Sequence, residues 1–131
     1  YSRHPLIVKL GFTQDYLGIA QDLEHLVDAS HAINTVPWDV VFPDKVSPLA
    51  HLGGGGVSGR PIHPFALEAV ANLRRAVSTP IIAGGWIMDI DDIFSFGKVG
   101  ASAFSLGTLF LKRPWQPNRL VREFHQLVPS C

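Results

Sequence analysis

Glycine-rich turns follow two apolar segments of strand length, and their backbone N–H groups could meet an anion. Gly85 and Trp86 come directly after one segment, and Gly107 and Thr108 follow the next one, 22 positions further along the chain. A glycine lets the backbone approach an anion closely, and each free N–H group becomes a donor. In βα barrels, the loops after the seventh and eighth strands commonly bind phosphate. The paired turns predict a phosphate site, although such glycines also suit plain strand-to-helix turns.

Polar side chains stand in or at the ends of two other apolar segments. Lys9 interrupts the apolar residues 6–10, where a charge is costly unless a partner meets it. It is either a cation at the mouth of a barrel, facing the electron-rich part of a cofactor, or a side chain that reaches outward to water. Asn34 and Thr35 either offer amide and hydroxyl groups to a polar ligand or form a turn. The glycine-rich residues 53–59 are either a ligand cradle or a mobile linker.

Alternating strands and helices must position these residues. Apolar segments of strand length occupy residues 6–10, about 31–35, 80–83 and 103–106. Amphipathic segments of helix length cover about residues 15–27, 64–77 and 91–98, and a last one runs through Leu127. Thr13 is the predicted N-cap of the first helix, and Asn118 that of the last. Residues 36–63 are predicted to form a long loop, and loops of that length are usually functional.

This alternation predicts an α/β fold with a parallel sheet and helical crossovers. The 131 residues divide into four strand–helix units of about 33 residues, close to the unit length of a TIM (β/α)8 barrel. We therefore predict that residues 1–131 form the C-terminal half of such a barrel, about four βα units. A doubly wound open sheet is the other fold that the pattern permits. The two candidate phosphate turns favour the barrel.

Composition and charge exclude several classes of protein. Hydrophobic residues make up 47% of the chain and charged residues 17%, which is typical of a globular domain. Eleven Lys and Arg balance eleven Asp and Glu, so no basic field attracts nucleic acid or an acidic membrane, and no apolar run has the length of a membrane span. The six histidines lack metal-ligand spacing. Cys131 is the single cysteine, which excludes an internal disulfide and favours a cytoplasmic location. The chain opens at Tyr1 without Met, so we expect an upstream segment.

The order of the motifs resembles the dihydroorotate dehydrogenase family. The motifs that carry the resemblance are, in order, Ile7-Val8-Lys9-Leu10, Ile33-Asn34-Thr35, Gly55-Gly56-Val57-Ser58-Gly59 with Ile62 and Pro64 following, Pro80-Ile81-Ile82, Gly100-Ala101-Ser102 and Gly107-Thr108. The resemblance runs from Leu6 to about Phe110 and continues loosely into the last helix. It covers the C-terminal half of that enzyme.

The resemblance implies an FMN-dependent barrel that oxidises dihydroorotate to orotate in pyrimidine synthesis. Lys9 matches a lysine beside the flavin and the substrate, where its charge would favour negative charge developing on the reduced ring. Asn34 and Thr35 match a pair that hydrogen-bonds the pyrimidine. Ile33 and Gly59 match positions that contact the flavin. Two further pairs match contacts at the ribityl phosphate: Gly85 and Trp86 after the seventh strand, and Gly107 and Thr108 after the eighth.

Two departures from the family pattern limit what this chain is expected to do alone. The family usually has a glycine where this chain has Trp86. The general base of the family, a Ser or Cys, lies on a loop upstream of the strand that contains Lys9. We therefore predict no catalytic base within this chain, and we expect the isolated chain to be inactive.

Two other functions fit the same residues. A flavin domain of a dihydropyrimidine dehydrogenase shares Asn34, Thr35 and the loop at Ser58 and Gly59. A non-catalytic phosphate-binding half barrel, working by association with another half, is the alternative from a different class, since exposed sheet edges favour pairing. We expect a small-molecule substrate, no nucleic acid, no membrane segment, and either an oligomer or association with the missing half.

Overall fold

The computed structural model describes residues 4–128, so Tyr1 and Cys131 lie outside the described residues. The strands are β1 (Ile7–Lys9), β2 (Ala29–Ala32), β3 (Val36–Pro37), β4 (Gly56–Val57), β5 (Ile81–Ala83) and β6 (Ala103–Phe104). The helices are α1 (Tyr16–Leu23), α2 (Trp38–Val41), α3 (His63–Ala76), α4 (Ile90–Lys98), α5 (Thr108–Lys112) and α6 (Pro117–Leu127). Among the helices of residues 4–128, none has both the length and the apolar character needed to cross a bilayer.

Four strands form one parallel sheet in the order β1-β2-β5-β6, which is also their order along the chain. A doubly wound sheet reverses its strand order at one point, and this sheet does not. Helices α1, α3, α4 and α6 contact one another in the same succession, so the crossovers lie side by side on one face. The prediction of an α/β chain forming half of a βα barrel is therefore confirmed, and the doubly wound alternative is wrong.

The two faces of the sheet differ in burial because the helices cover only one of them. Ser30, Ile81 and Ala83 point toward the helices and are fully buried. Side chains alternate along a strand, so the residues between these point to the opposite face. There the register aligns one row across the sheet, consisting of Lys9, His31, Ile82 and Ala103. This inner row is exposed or half-buried, and in a closed barrel it faces the interior.

The segment predicted as a long loop contains a small hairpin. Strands β3 and β4 pair antiparallel, with Val36 opposite Val57 and Pro37 opposite Gly56. Between them lie α2 and a 3-10 turn at Ala50–Leu52, and a second 3-10 turn at Arg60–Ile62 follows. Strands of two residues are too short to show an alternating pattern, so the sequence did not reveal them. Three successive glycines with φ between 76° and 97°, at positions 53–55, allow the chain to turn back into β4.

Two predicted helix caps are wrong. Helix α1 is capped by Asp15, whose Oδ1 accepts a hydrogen bond of 3.1 Å from the Gly18 N–H, and not by Thr13. Helix α1 also ends at Leu23, four residues before the predicted end. Helix α6 begins at Pro117 without a side-chain cap, so Asn118 lies inside its first turn. Proline is favoured at this position because its missing N–H has no intrahelical partner.

The cap of α1 gives a first testable prediction. Asp15→Ala is expected to lower the free energy of unfolding by about 1 kcal/mol, because it leaves an N–H at the start of the helix without its acceptor. Thr13→Ala is the matched control and is expected to change stability by less than about 0.5 kcal/mol. Urea unfolding of both variants measures the difference. Equal losses from the two substitutions would contradict the assignment.

Candidate functional site

A cleft of about 700 Å³ opens at the edge of the sheet where the parallel strands end. Lys9, Asn34 and Thr35 all line it, so the structure brings together three of the residues singled out from the sequence. The other lining residues come from the segment after β1, from the hairpin strands β3 and β4, and from the glycine-rich turn before β4: Gly11, Phe12, Thr13, Gln14, Pro37, Leu52, Gly53, Gly55 and Gly56. The cleft combines one ammonium, two amide and two hydroxyl groups with one aromatic ring, a set that suits a small polar ligand.

The parallel sheet explains why these three residues meet. Lys9 is the last residue of β1 and pairs in register with His31 of β2, while Asn34 and Thr35 follow shortly after β2 ends. Ends of neighbouring parallel strands share one edge of the sheet, where ligands bind in βα folds. The glycine-rich turn is packed directly against this edge. A Cβ on Gly56 would lie 2.5 Å from Oγ1 of Thr35, so only glycine fits there.

A neutral histidine lies beside the ammonium of Lys9. Burial, and secondly the positive charge of Lys9, lower the pKa of His31 below its ordinary value of 6.5. Its Nε2 is 2.9 Å from Oγ of Ser105, a residue just beyond β6. Neither residue was predicted from the sequence to belong to a site. Their signal was present, since each is a polar residue within an apolar segment of strand length.

The two predicted phosphate turns follow β5 and β6, which are neighbours in the sheet, so both turns lie at the same edge as Lys9. Within residues 4–128, the N–H groups of Gly85, Trp86 and Gly107 donate no hydrogen bond. A Cβ built on Gly107 meets no atom within 4 Å. Unsatisfied N–H groups beside open space are the arrangement that an anion requires.

The turn at Gly85 is fixed by its neighbours. Gly85 has φ of 134°, and a Cβ there would lie 2.6 Å from Cβ of Ala66 on α3. Its carbonyl accepts a hydrogen bond of 3.1 Å from Nδ1 of His63, whose Nε2 lies 3.9 Å from Oδ1 of Asp92. The identity of Gly85 is therefore required by the fold itself, whatever the turn binds.

Trp86 stands at a backbone conformation that favours glycine. Its φ is 63°, which is strained for a bulky residue and costs on the order of 1–2 kcal/mol. The indole lies against Gly59, where a Cβ would be 3.6 Å from the ring, and the Nζ of Lys112 is 4.9 Å from the ring centroid. Gly59 and Trp86, both singled out from the sequence, are thus brought together. The ring borders a second cleft of about 460 Å³, which Arg60, His63 and Lys112 also line.

Thr108 is half-buried at the first position of α5, and another predicted contact, Ile33, is less accessible. The side chain of Ile33 is only 6% exposed and packs in the hydrophobic core. Its N–H donates to the carbonyl of Gly84 across the sheet, at 3.3 Å. Its role toward a cofactor stays a prediction.

Comparison with known proteins supports the resemblance seen in the motifs. The family model of dihydroorotate dehydrogenase matches residues 2–128. The chain is 33% identical over 116 residues to the catalytic subunit of dihydroorotate dehydrogenase B (NAD(+)) from Malacoplasma penetrans, covering 87% of this chain and 38% of that protein. It is 34% identical over 120 residues to the same subunit from Desulforamulus reducens, covering 90% of this chain and 40% of the relative.

A solved structure gives the same result for the fold. The crystal structure of DHODH from Eimeria tenella in complex with ferulenol superposes with a TM-score of 0.72 at 25% sequence identity. The superposition covers 96% of this chain and 35% of that protein. The chain thus spans about two fifths of the length of the relatives it matches. The ordered motifs, the half-barrel sheet and these matches agree, and the chain belongs to the dihydroorotate dehydrogenase family.

Proposed function

We propose that this chain supplies part of the flavin and substrate site of an FMN-dependent enzyme that oxidises dihydroorotate to orotate in pyrimidine biosynthesis. The observation that supports this most directly is the shared cleft of Lys9, Asn34 and Thr35 at the strand ends of a half barrel in this family. The chain covers about two fifths of its relatives, so the activity belongs to the whole protein rather than to these residues alone.

The residues present fit the cofactor that the family implies. FMN carries a phosphate, and the N–H groups of Gly85, Trp86 and Gly107, which donate no hydrogen bond within residues 4–128, offer donors for it, with open space beside Gly107. Lys9 lies at the same edge of the sheet, where its ammonium favours an electron-rich ring. When bound, FMN supplies the acceptor for the hydride that leaves C6 of dihydroorotate.

The chain's own side chains bind and orient the substrate. Asn34 offers one amide that both donates and accepts, and Thr35 adds a hydroxyl, which suits the alternating N–H and C=O groups of a pyrimidine ring. The ammonium of Lys9 stabilises negative charge that develops as the substrate is oxidised. Among the described residues, those that line the cleft include no carboxylate, histidine, cysteine or serine. We therefore propose that the base that removes the proton from C5 comes from another segment, as the family pattern implies.

Association with further barrel segments is part of the proposal. Within the part of the chain that the structure describes, both outer strands of the sheet, β1 and β6, have one unpaired side, and Leu6 and Ile7 are 51% and 54% exposed. Unpaired strands with apolar side chains favour pairing with other strands. We propose that the remaining half of the barrel covers these edges. The oligomeric state and the cytoplasmic location expected from the single cysteine stay predictions.

The test of this function is reduction of bound flavin in the full-length protein. We expect a yellow protein whose FMN absorbance is bleached by dihydroorotate under anaerobic conditions and not by dihydrouracil. Bleaching by dihydrouracil alone would favour the dihydropyrimidine dehydrogenase alternative. A protein that binds inorganic phosphate but no FMN would favour the non-catalytic half barrel. Either result would overturn the proposal.

Substitution of the amide side chain in the cleft tests the substrate contact. Asn34→Ala is expected to raise the KM for dihydroorotate about 10-fold or more, because it removes hydrogen bonds and leaves polar groups of the ligand unpaired. Its flavin content should stay close to that of the unmodified protein. Asn118→Ala on α6 is the matched control, since Asn118 is exposed and does not line the cleft. Equal KM values for the two variants would refute the role of Asn34.

A further inference from the structure

Two polar residues that the proposed function does not use are joined across the inner face of the sheet. His31 of β2 and Ser105 beyond β6 are 74 positions apart, yet Nε2 and Oγ lie 2.9 Å from each other. Strand β5 runs between them. Neighbouring strands are about 4.8 Å apart, so the two side chains and their hydrogen bond together cross roughly two strand spacings on the inner face.

The hydrogen bond depends on a glycine of the intervening strand segment. A Cβ on Gly84 would lie 2.6 Å from Oγ of Ser105 and 3.3 Å from Nε2 of His31. Backbone conformation does not explain this glycine, since its φ lies outside the range that favours glycine. The space above Gly84 is instead filled by the imidazole–hydroxyl pair. His31, Gly84 and Ser105 therefore form one interdependent unit, which we call the His31–Ser105 bridge.

The bridge lies beside the ammonium proposed to face the flavin. Lys9 and His31 are partners in register on neighbouring strands, and both point to the inner face. Among the titratable groups of the described residues, Lys9 is the one whose charge acts on the imidazole. The residue that contacts the imidazole from beyond β6 is Ser105, whose hydroxyl is neutral. The neighbour that follows β5 is Gly84, which has no side chain. A proton on His31 would thus place a second positive charge next to Lys9 without a carboxylate to offset it.

We propose that the His31–Ser105 bridge forms the polar floor of the flavin site and that His31 is a positioning residue, which sets the reduction potential of the flavin by controlling the positive charge beside Lys9. This inference rests on the proposed function. While His31 is neutral, the positive charge of the inner row is that of Lys9. Protonation adds a charge that stabilises the more negative reduced flavin, and the potential rises.

The sign of the pH dependence follows from the position of the imidazole. Because burial and Lys9 lower the pKa of His31 below 6.5, the ring is neutral at neutral pH and gains its proton only as the pH falls below that value. The extra rise in potential is therefore expected on the acidic side, below about pH 6.5. As the pH rises above that value, the charge contributed by the bridge disappears.

The test is a spectroelectrochemical titration of the full-length protein loaded with FMN, carried out across a range of pH. We expect the midpoint potential to rise more steeply below about pH 6.5 than above it, and this inflection to be lost in His31→Gln. His25→Gln, which removes an exposed histidine after α1, should keep the inflection. Ser105→Ala, which leaves the imidazole in place but removes its partner, should shift the inflection to another pH.

The outcomes separate this inference from the proposed function. A protein without FMN overturns the proposed function, and the inference with it. A flavoprotein whose inflection is the same in His31→Gln overturns the inference alone. A second measurement needs no flavin: histidine-ring NMR of the same protein should show the pKa of His31 rising in Lys9→Met, because a neighbouring positive charge has been removed. An unchanged pKa would show that the two residues do not interact, and would also overturn the inference.

Discussion

Lys9→Met is expected to slow reduction of the bound flavin by dihydroorotate by about 100-fold or more, with a much smaller loss of bound FMN. The ammonium ends β1 at the strand edge and shares its cleft with Asn34 and Thr35. A fixed charge in such a place acts mainly on negative charge that develops during the reaction, so its removal affects the rate more than binding. Methionine has an unbranched side chain of similar length and removes the charge.

Stopped-flow absorbance of the full-length protein measures the rate of flavin reduction directly. Lys98→Met is the matched control, because Lys98 is exposed at the end of α4 and lines no part of the cleft. The control is expected to reduce its flavin at the rate of the unmodified protein. A Lys9→Met variant with an unchanged reduction rate would contradict the assigned role, even if its FMN content were lower.

Gly85→Ala is expected to lower the free energy of unfolding by about 3 kcal/mol, combining backbone strain with overpacking. The backbone at Gly85 has φ of 134°, a conformation that side chains rarely adopt. The new Cβ would also lie 2.6 Å from Cβ of Ala66, which is fully buried on α3. Neither atom is the end of a flexible side chain, so the helix or the turn itself must shift.

Urea unfolding tests this prediction against a second glycine. Gly97 lies inside α4 and a Cβ there meets no atom within 4 Å, so Gly97→Ala is expected to be neutral or to stabilise the chain by up to about 1 kcal/mol. Adding Ala66→Gly to Gly85→Ala should recover part of the loss, since it removes the clash and leaves the backbone strain. Equal stability of Gly85→Ala and Gly97→Ala would show that the turn is freer than its packing indicates.

The family and the half barrel could be predicted from the sequence because both depend on local patterns in a fixed order. Apolar segments alternating with amphipathic ones predict βα units whatever their final contacts are. The turn glycines and Lys9 were recognised from their position relative to such segments. Element boundaries were less predictable, and the caps at Thr13 and Asn118 were wrong. Several residues near a helix start can serve as the cap, and the packing of the helix selects among them.

Tertiary structure decided what the inner face contains. The bridge between His31 and Ser105 joins residues 74 positions apart, and no periodicity relates them. The role of its third member, Gly84, has no local sequence signal, because only the folded sheet places the pair where a Cβ on this residue would overlap it. Likewise, Ile33 was predicted from the motif to meet a cofactor, while packing buries its side chain. Sequence determined which elements form and which family they belong to, because those follow from local patterns; only the register of the folded sheet decided which side chains meet, because contact depends on distance in space.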